Sequence, residues 1–449
     1  MRSTAAATAA LALSLASSAI ACGPGGHHRN LGMVQKRNPA PATTSTPTEE
    51  SEAKITDSAQ ECTYYYLPEV NDLLKSFPTI WQTANLFDND TDATNLFNSK
   101  TKPAIPSGIN PKGTRDGDFS GVNYPASDPD CWWTYGDAGS KCDTPKHSGI
   151  PDDVVQCAEP KTWGYTFDDG PNCTHNAFYD FLQQNNQKAT MFFIGSNVMD
   201  WPLQAQRALV DGHHICSHTW SHPYMTALTD EQVFAELYYS SKAIKDVMGI
   251  SVDCWRPPYG DIDDRVRAIA QSLGLRSILW SDDTDDWEIK PAGTLTRADI
   301  EKNYANIING VSDTTGNIVL SHEINADTMS IAMEQYPNIT AKFDHVTPLS
   351  ACMNWTNPYA EDITYPAFSD YVKGNIEPSG VPAASAISIS GGAFTPVSSS
   401  AASASGSAKQ AAQSSASNTS SSSAGYSIAA PVFGLVAALF GGVALVFNA

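Results

Sequence analysis

Between Cys157 and Cys352, short apolar runs alternate with amphipathic segments, and this alternation strongly limits the folds open to the chain. Short apolar runs predict buried strands, whereas apolar residues three or four apart predict helices, one of them capped by Thr229. The repeated units predict a largely parallel sheet, as a barrel or an open doubly wound sheet, with functional residues at the carboxyl ends of strands. The predicted strands are 162–167, 189–194, 251–255, 277–280 and 318–320, and the predicted helices include 175–184, 262–273 and 298–308.

Two segments that follow predicted strands carry the residue types of a metal site. Asp168 and Asp169 come at the end of the first strand, so one carboxylate can bind a metal while its neighbour faces a water molecule. His218 and His222 are four residues apart, which would place both imidazoles on one side of a helical turn, a spacing used to bind zinc. Taken alone, each segment also fits a structural role, as an Asp-rich turn or as an ordinary histidine pair.

Three further segments follow later strands. Arg256 begins a loop that two prolines stiffen, and the backbone N–H of Tyr259 in this loop is a candidate donor. An acidic run ends in Asp-Trp at 286–287, and an apolar strand ends at His322. Individually these segments fit a rigid turn, a solvated acidic loop and a structural histidine. Their order along the chain favours a joint role.

In order and position, the five segments resemble the five motifs of the polysaccharide deacetylase family (carbohydrate esterase family 4, or NodB homology domain). The resemblance covers about residues 157–352 and implies a distorted (β/α) barrel rather than an open sheet. It makes Asp168 the catalytic base and His322 the catalytic acid. Arg256 would orient the base, and Asp286 would pair with the acid, with Asp283 as the alternative. The metal ligands would be Asp169, His218 and His222, and the substrate-binding residues Tyr259, through its N–H, together with Trp287 and Leu320.

These roles imply metal-dependent hydrolysis of N-acetyl groups. Two histidines and one aspartate favour zinc, and cobalt would also fit. Chitin is the expected substrate, with chitosan and acetate as products, because the chain has features of a eukaryotic surface protein. Acetylxylan esterase, another polysaccharide deacetylase and a non-catalytic, anchored chitin-binding wall protein are the alternatives. A formal net charge of −21 argues against nucleic acid as a partner.

Both ends of the chain are expected to be processing or tethering segments. Residues 1–21 fit a secretory signal peptide, 22–37 a possible propeptide ending at a dibasic pair, and 38–61 a flexible leader. Residues 62–156 are expected to be a loop-rich region of unknown role before the catalytic domain at 157–352. After an extension at 353–378, a Ser/Ala-rich linker (379–423) and an apolar tail (424–449) fit a glycosylphosphatidylinositol (GPI) anchor signal.

The cysteines and sequons also agree with secretion. Cleavage after the dibasic pair would leave eight of the nine cysteines, enough for four disulfides, and Cys157 is expected to pair with Cys352 to close the domain. Cys131 and Cys142 are expected to close a local loop. The protein is therefore expected outside the plasma membrane or in the wall, held to the membrane only by the anchor. Expected glycosylation sites are Asn89, Asn172, Asn338, Asn354 and Asn418, and the anchor is expected on Asn418 or Ser420.

Overall fold

The computed structural model describes residues 46–135, 141–392 and 394–396. A sheet forms its centre, and the long helices pack around the sheet. Its strands are β1 (Gln156–Cys157), β2 (Thr162–Gly170), β3 (Thr190–Phe193), β4 (His214–Ser217), β5 (Cys254–Trp255), β6 (Arg276–Ser277), β7 (Asp282–Asp283), β8 (Gly316–His322) and β9 (His345–Thr347).

The helices divide into short ones near the two ends and longer ones between the strands. The short helices are α1 (Glu49–Glu52), α2 (Ser58–Glu61), α3 (Pro68–Leu73), α4 (Thr91–Leu96), α12 (Leu349–Cys352) and α13 (Phe368–Tyr371). The helices between strands are α5 (Asn176–Gln184), α6 (Gly195–Asp200), α7 (Pro202–Val210), α8 (Asp230–Met248), α9 (Asp264–Ser272), α10 (Arg297–Asn309) and α11 (Ala326–Thr340).

The sheet closes into a distorted barrel. Its strands follow the order β6-β5-β4-β3-β2-β8, and all of these neighbours are parallel. Beyond β6 the chain forms a bridge from Ile278 to Val154 and then continues into β7, which pairs with β8. The antiparallel strand β1 also pairs with β8. The implied distorted barrel is confirmed, and closure brings the carboxyl ends of β2, β4, β5, β7 and β8 to one edge.

The central strand β2 is longer than the sequence predicts. Every residue of β2 is buried, and its register with β3 shifts between Asp168 and Gly170. Asp169 has a φ of 72° at this bulge. The prediction that the strand ends at Phe167 is therefore wrong, because pairing with β3 and β8 continues past Asp168 despite the acidic sequence.

The predicted helices at 175–184, 262–273 and 298–308 correspond to α5, α9 and α10 with ends shifted by up to two residues. Thr229 caps α8 in a capping box with Gln232, as predicted for this threonine. Gly249 ends α8 with a φ of 80°, a conformation that favours glycine. The strand β4 and the helices α7 and α11 were not predicted from the sequence.

The region before β1 shares the core of the barrel. Leu67, Val70, Phe77 and Phe97 belong to the same buried cluster as the strands. The expectation of a flexible leader is wrong for its described part, residues 46–61, which contain α1 and α2. These helices are capped by Thr48 and Asp57 and held by hydrogen bonds that Asn176 donates to Glu61 and Glu52.

The beginning of the Ser/Ala-rich linker also packs on the body. The N–H of Ser390 donates to the carbonyl of Asp246, and Lys242 donates to the carbonyl of Gly392 at 2.9 Å. In the described ranges, no helix combines the length and the apolar character needed to cross a membrane. The predicted signal peptide, propeptide and anchor tail, with Asn418 and Ser420, lie outside the described residues.

Candidate active site

The predicted metal ligands meet at the carboxyl ends of β2 and β4. One atom from each of Asp169, His218 and His222 lies within 4.8 Å of the other two, and all three residues are largely buried. Asp169 Oδ1 is 3.1 Å from His222 Nε2 and 3.5 Å from His218 Nε2.

The histidine pair reaches this position through an irregular turn. The predicted helical turn is wrong, because residues 218–222 form a bend in which Thr219 and His222 have φ values of 67° and 57°. The backbone N–H of His222 donates to the hydroxyl of Thr219 at 3.1 Å. The two imidazole centroids come within 4.9 Å of each other.

The hydrogen bonds of the site agree with a bound cation. His218 Nδ1 lies 2.8 Å from the carbonyl oxygen of Arg256, and a carbonyl can only accept, so this nitrogen carries the proton. In the neutral imidazole with this tautomer, the lone pair is on Nε2, which faces Asp169 Oδ1, a buried oxygen with no hydrogen-bond partner among the described residues. Two facing acceptors repel unless a cation lies between them, so the donor set fits a divalent metal.

A second cluster of possible ligands does not form a comparable site. His214, Cys216 and Cys254 also lie close together. The two cysteines form a disulfide between β4 and β5, so their sulfur atoms are already bonded to each other. Among the described residues, the Asp-His-His group is therefore the candidate metal centre.

Asp168, the predicted base, is paired with Arg256. The Arg256 guanidinium is fully buried and donates to Asp168 Oδ1 at 2.7 Å. It also donates to the hydroxyl of Thr166 and the carbonyl of Leu279 at 3.0 and 3.3 Å, and lies 4.1 Å from the ring centroid of Phe192. These contacts leave the guanidinium little freedom, so it fixes the Asp168 carboxylate next to the predicted metal ligands.

His322, the predicted acid, lies beside Asp168 across the β2–β8 pair. Its Nδ1 is 2.6 Å from Asp286 Oδ1, and its backbone N–H donates to Asp286 Oδ2 at 2.9 Å. Burial lowers the pKa of His322, but the Asp286 carboxylate outweighs burial and raises the pKa to about 10. Asp283, the alternative partner, instead accepts the N–H of Asp285 at 2.9 Å, so the structure selects Asp286.

The predicted substrate-binding residues line the same edge. Leu320 is buried in β8. Trp287 is 39% exposed and directly follows Asp286, the residue that pairs with His322. Tyr259 has a φ of 59°, and its ring stacks on Tyr224 with centroids 4.0 Å apart. The ring of Tyr259 also approaches that of His222 edge-on, at 4.7 Å, so this loop adjoins the metal ligands.

Thr166 and Glu236 also support the site and are not among the residues predicted from the sequence. Thr166 accepts from Arg256, and the two-residue repeat of a strand, which places it on the same face as Asp168, could have revealed it. Glu236, a carboxylate within the apolar face of α8, is fully buried and accepts hydrogen bonds from the turn between the histidines. A charged residue among apolar helix positions was the available signal.

The expected glycosylation sites remain predictions, and their surroundings differ. Asn89, Asn338 and Asn354 are exposed. Asn172 is partly buried, and its amide donates to the carbonyl of Ile324 at 2.7 Å.

The chain matches one family model and is similar to several known proteins. Residues 155–278 match the family model described as polysaccharide deacetylase. The chain is 52% identical over 366 residues to chitin deacetylase 2 of Cryptococcus neoformans var. grubii, covering 78% of each chain. It is 46% identical to chitin deacetylase of Amylomyces rouxii, covering 72% of this chain and 77% of the relative. A solved structure of the chitin deacetylase from Colletotrichum lindemuthianum has 25% identity and a TM-score of 0.44, covering 47% of this chain and 96% of that one.

Proposed function

The chain belongs to the polysaccharide deacetylase family, and we propose that it hydrolyses N-acetyl groups of chitin to give chitosan and acetate. The observation that carries this proposal is the meeting of a metal-binding triad, a base and an acid at one edge of the barrel. The two chitin deacetylases described above, which share 52% and 46% identity with this chain, support chitin as the substrate.

Enzymes of this family depend on a divalent metal, and here Asp169, His218 and His222 would hold it. Such a metal would lower the pKa of a water molecule to about 7 and polarise the acetamide carbonyl. We assign zinc as the metal, because two imidazoles and one carboxylate suit it, with cobalt as the next choice.

The protein supplies the proton transfers. Asp168 takes the proton of the attacking water, and its hydrogen bond from Arg256 aims the free oxygen of the carboxylate. Negative charge then develops on the carbonyl oxygen, where the N–H of Tyr259 is the proposed donor. His322 donates the proton that the departing sugar amine needs, and Asp286 orients its ring through Nδ1, so Nε2 is the donating atom.

Leu320 and Trp287 are the proposed contacts for the acetyl methyl and the sugar. Leu320 is buried and apolar, which suits a methyl group, and the exposed indole of Trp287 can pack on a sugar face.

For the location of the protein, we propose secretion, a GPI anchor at the outer face of the plasma membrane or in the wall, and glycosylation at the sequons. Release of the protein from cells by a phosphatidylinositol-specific phospholipase would test the anchor.

Acetate release from defined chitin oligomers tests the proposed activity. A chelator should abolish release, and zinc or cobalt should restore it. Asp168→Asn should lower kcat about 10²- to 10⁴-fold, because the amide cannot accept the water proton.

Asp253→Asn is the matched control for this substitution. Asp253 is also buried and paired with an arginine, Arg276 at 2.8 Å, but it directly precedes β5, at the amino end of that strand. Its substitution should leave kcat of the folded protein unchanged. Metal-loaded protein that binds chitin oligomers but releases no acetate would contradict the proposed function.

A further inference from the structure

A buried carboxylate holds the turn between the two metal-ligating histidines from behind. Glu236 on α8 is fully buried, and its Oε2 accepts the backbone N–H groups of Trp220 and Ser221 at 2.9 and 2.8 Å. Its Oε1 accepts the hydroxyl of Ser221 at 2.7 Å. Trp220 and Ser221 lie between His218 and His222, so three hydrogen bonds that one carboxylate accepts fix the middle of the proposed metal-binding turn.

The same carboxylate connects this turn to the region before β1. The N–H of Ala84 donates to Glu236 Oε1 at 2.8 Å. Nearby, the indole N–H of Trp220 donates to the carbonyl of Thr79 at 3.2 Å, and Phe77 stacks on the Trp220 ring with centroids 5.6 Å apart. Residues 77–84 therefore cover Trp220 and complete the set of hydrogen-bond donors around Glu236.

Arg115 also contacts the turn. Its Nη2 donates to the carbonyl and the hydroxyl of Ser221 at 3.1 and 3.3 Å, and its Nε donates to the hydroxyl of Thr83 at 2.7 Å. The Ser221 hydroxyl thus accepts from Arg115 and donates to Glu236, so the three side chains form a continuous hydrogen-bonded chain. Successive bonds of this kind polarise and strengthen one another.

The turn needs such support because its backbone is unfavourable by itself. Thr219 and His222 both lie in the left-handed region, with φ values of 67° and 57°. Residues other than glycine adopt this region at a cost in free energy, and they remain there when surrounding contacts determine the conformation. The contacts from Glu236, Arg115 and residues 77–84 are such determinants.

We propose that Glu236, Arg115 and residues 77–84 form a positioning clamp that holds His218 and His222 in the geometry required for a divalent metal. This gives the loop-rich region before β1 a role in metal binding. The inference rests on the metal site of the proposed function and is independent of the substrate. Groups that orient metal ligands typically change metal affinity about 10- to 100-fold when removed.

Glu236→Gln tests the clamp with little change in volume. Each carboxylate oxygen of Glu236 accepts two hydrogen bonds, so an amide NH₂ in place of either oxygen would face two donors. The zinc Kd, measured by competition with a fluorescent chelator, should rise about 10- to 100-fold. With saturating zinc, KM for a chitin oligomer should stay unchanged, because no clamp residue is among the substrate contacts.

Arg115→Ala is the second test. The Arg115 side chain is 34% exposed, so we expect this variant to fold. Its zinc Kd should rise about threefold to tenfold, since it removes the hydrogen bonds to Ser221. Arg297→Ala is the matched control. Arg297 is 35% exposed and paired with Glu334 at 2.6 Å on α11, so its loss should leave the zinc Kd unchanged.

Val247→Ala separates the clamp from a general loss of stability. Val247 is fully buried on α8, the helix that carries Glu236, and lies eleven residues, or about 16 Å, further along that helix. It should lower the urea midpoint without changing the zinc Kd. Equal weakening of zinc binding by Val247→Ala and Glu236→Gln would overturn the clamp.

The clamp would also be overturned by a zinc Kd within twofold of the parent for both Glu236→Gln and Arg115→Ala. If Glu236→Gln does not fold, Arg115→Ala decides alone by the same criterion. Failure of the proposed function is distinguishable, because it would appear as absent acetate release while the variants still weaken zinc binding.

Discussion

At the scale of single residues, one close carboxylate decides the protonation state of the proposed acid. Burial alone would keep His322 neutral near pH 7, but Asp286 lies 2.6 Å from its Nδ1 and raises the pKa to about 10. His322 is therefore protonated at neutral pH and ready to donate. The arrangement resembles the pairing of Asp168 with Arg256, in which a fixed buried charge also orients its partner.

Asp286→Asn should move the alkaline limb of the pH–kcat profile toward lower pH. Without the Asp286 carboxylate, the pKa of His322 falls, because burial lowers it and only Asp169 and Asp168 remain to raise it, so the proton needed by the leaving amine is lost at a lower pH. We expect kcat to fall about 100-fold near pH 8 and less at lower pH, which shifts the alkaline limb of the profile toward acid.

The control for this prediction is Asp282→Asn. Asp282 belongs to the same acidic run, but its carboxylate accepts from Asn317 at 2.6 Å rather than from His322. The alkaline limb should stay in place for this variant. An unchanged profile in Asp286→Asn would show that His322 is not the acid.

At the scale of secondary-structure elements, the site depends on strand ends and on one long helix. The carboxyl ends of β2, β4, β5, β7 and β8 carry the proposed reactive groups, while α8 packs against the proposed metal-binding turn and carries Glu236. The start of α8 is set by local sequence, because Thr229 and Gln232 satisfy each other's backbone N–H groups.

Thr229→Ala should lower the free energy of unfolding by about 1 kcal/mol, since it removes a side-chain cap from α8. Urea unfolding measures this loss. Thr229→Ser keeps the hydroxyl and should retain most of the stability. A loss for the serine variant equal to that of the alanine variant would mean that the methyl packing, rather than the cap, is responsible.

At the scale of the whole molecule, disulfides tie distant parts of the chain into one body. Cys157–Cys352 joins β1 to α12 across a sequence separation of 195 residues, and Cys62–Cys173 joins the early region to the loop after β2. Cys131–Cys142 closes only a local loop with a separation of 11. The expected pairs 157–352 and 131–142 are confirmed.

Removal of a disulfide should lower the free energy of unfolding by an amount that increases with the length of the loop it closes. Replacement of Cys157 and Cys352 by alanine should cost about 5 kcal/mol, against about 3 kcal/mol for Cys131 and Cys142, because the longer bridge removes more unfolded-state entropy. Calorimetry of both double variants in the same buffer measures the order. A larger loss for the short loop would contradict the entropic explanation.

Much of the barrel and most of the site were predictable from sequence. The apolar runs of β3 and β8 indicate strands because a parallel sheet buries both faces. The path of β2 through Asp168 and the bend at 218–222 were not predictable, because pairing with neighbours and the clamp overrode the local preference of the residues. The strand β4 was missed since His214 and Ser217 interrupt its apolar pattern, although all four residues are buried.

The sequence by itself determined which residue types reach the site and in what order, because strand ends and loop residues are local features. It also determined the caps, such as Thr229 on α8, since their partners lie within one turn. Only the tertiary structure decided that Asp286 rather than Asp283 pairs with His322, and that Glu236 and Arg115 support the histidine turn. These choices join residues far apart in the chain, and they exist only after barrel closure has brought those residues to one edge.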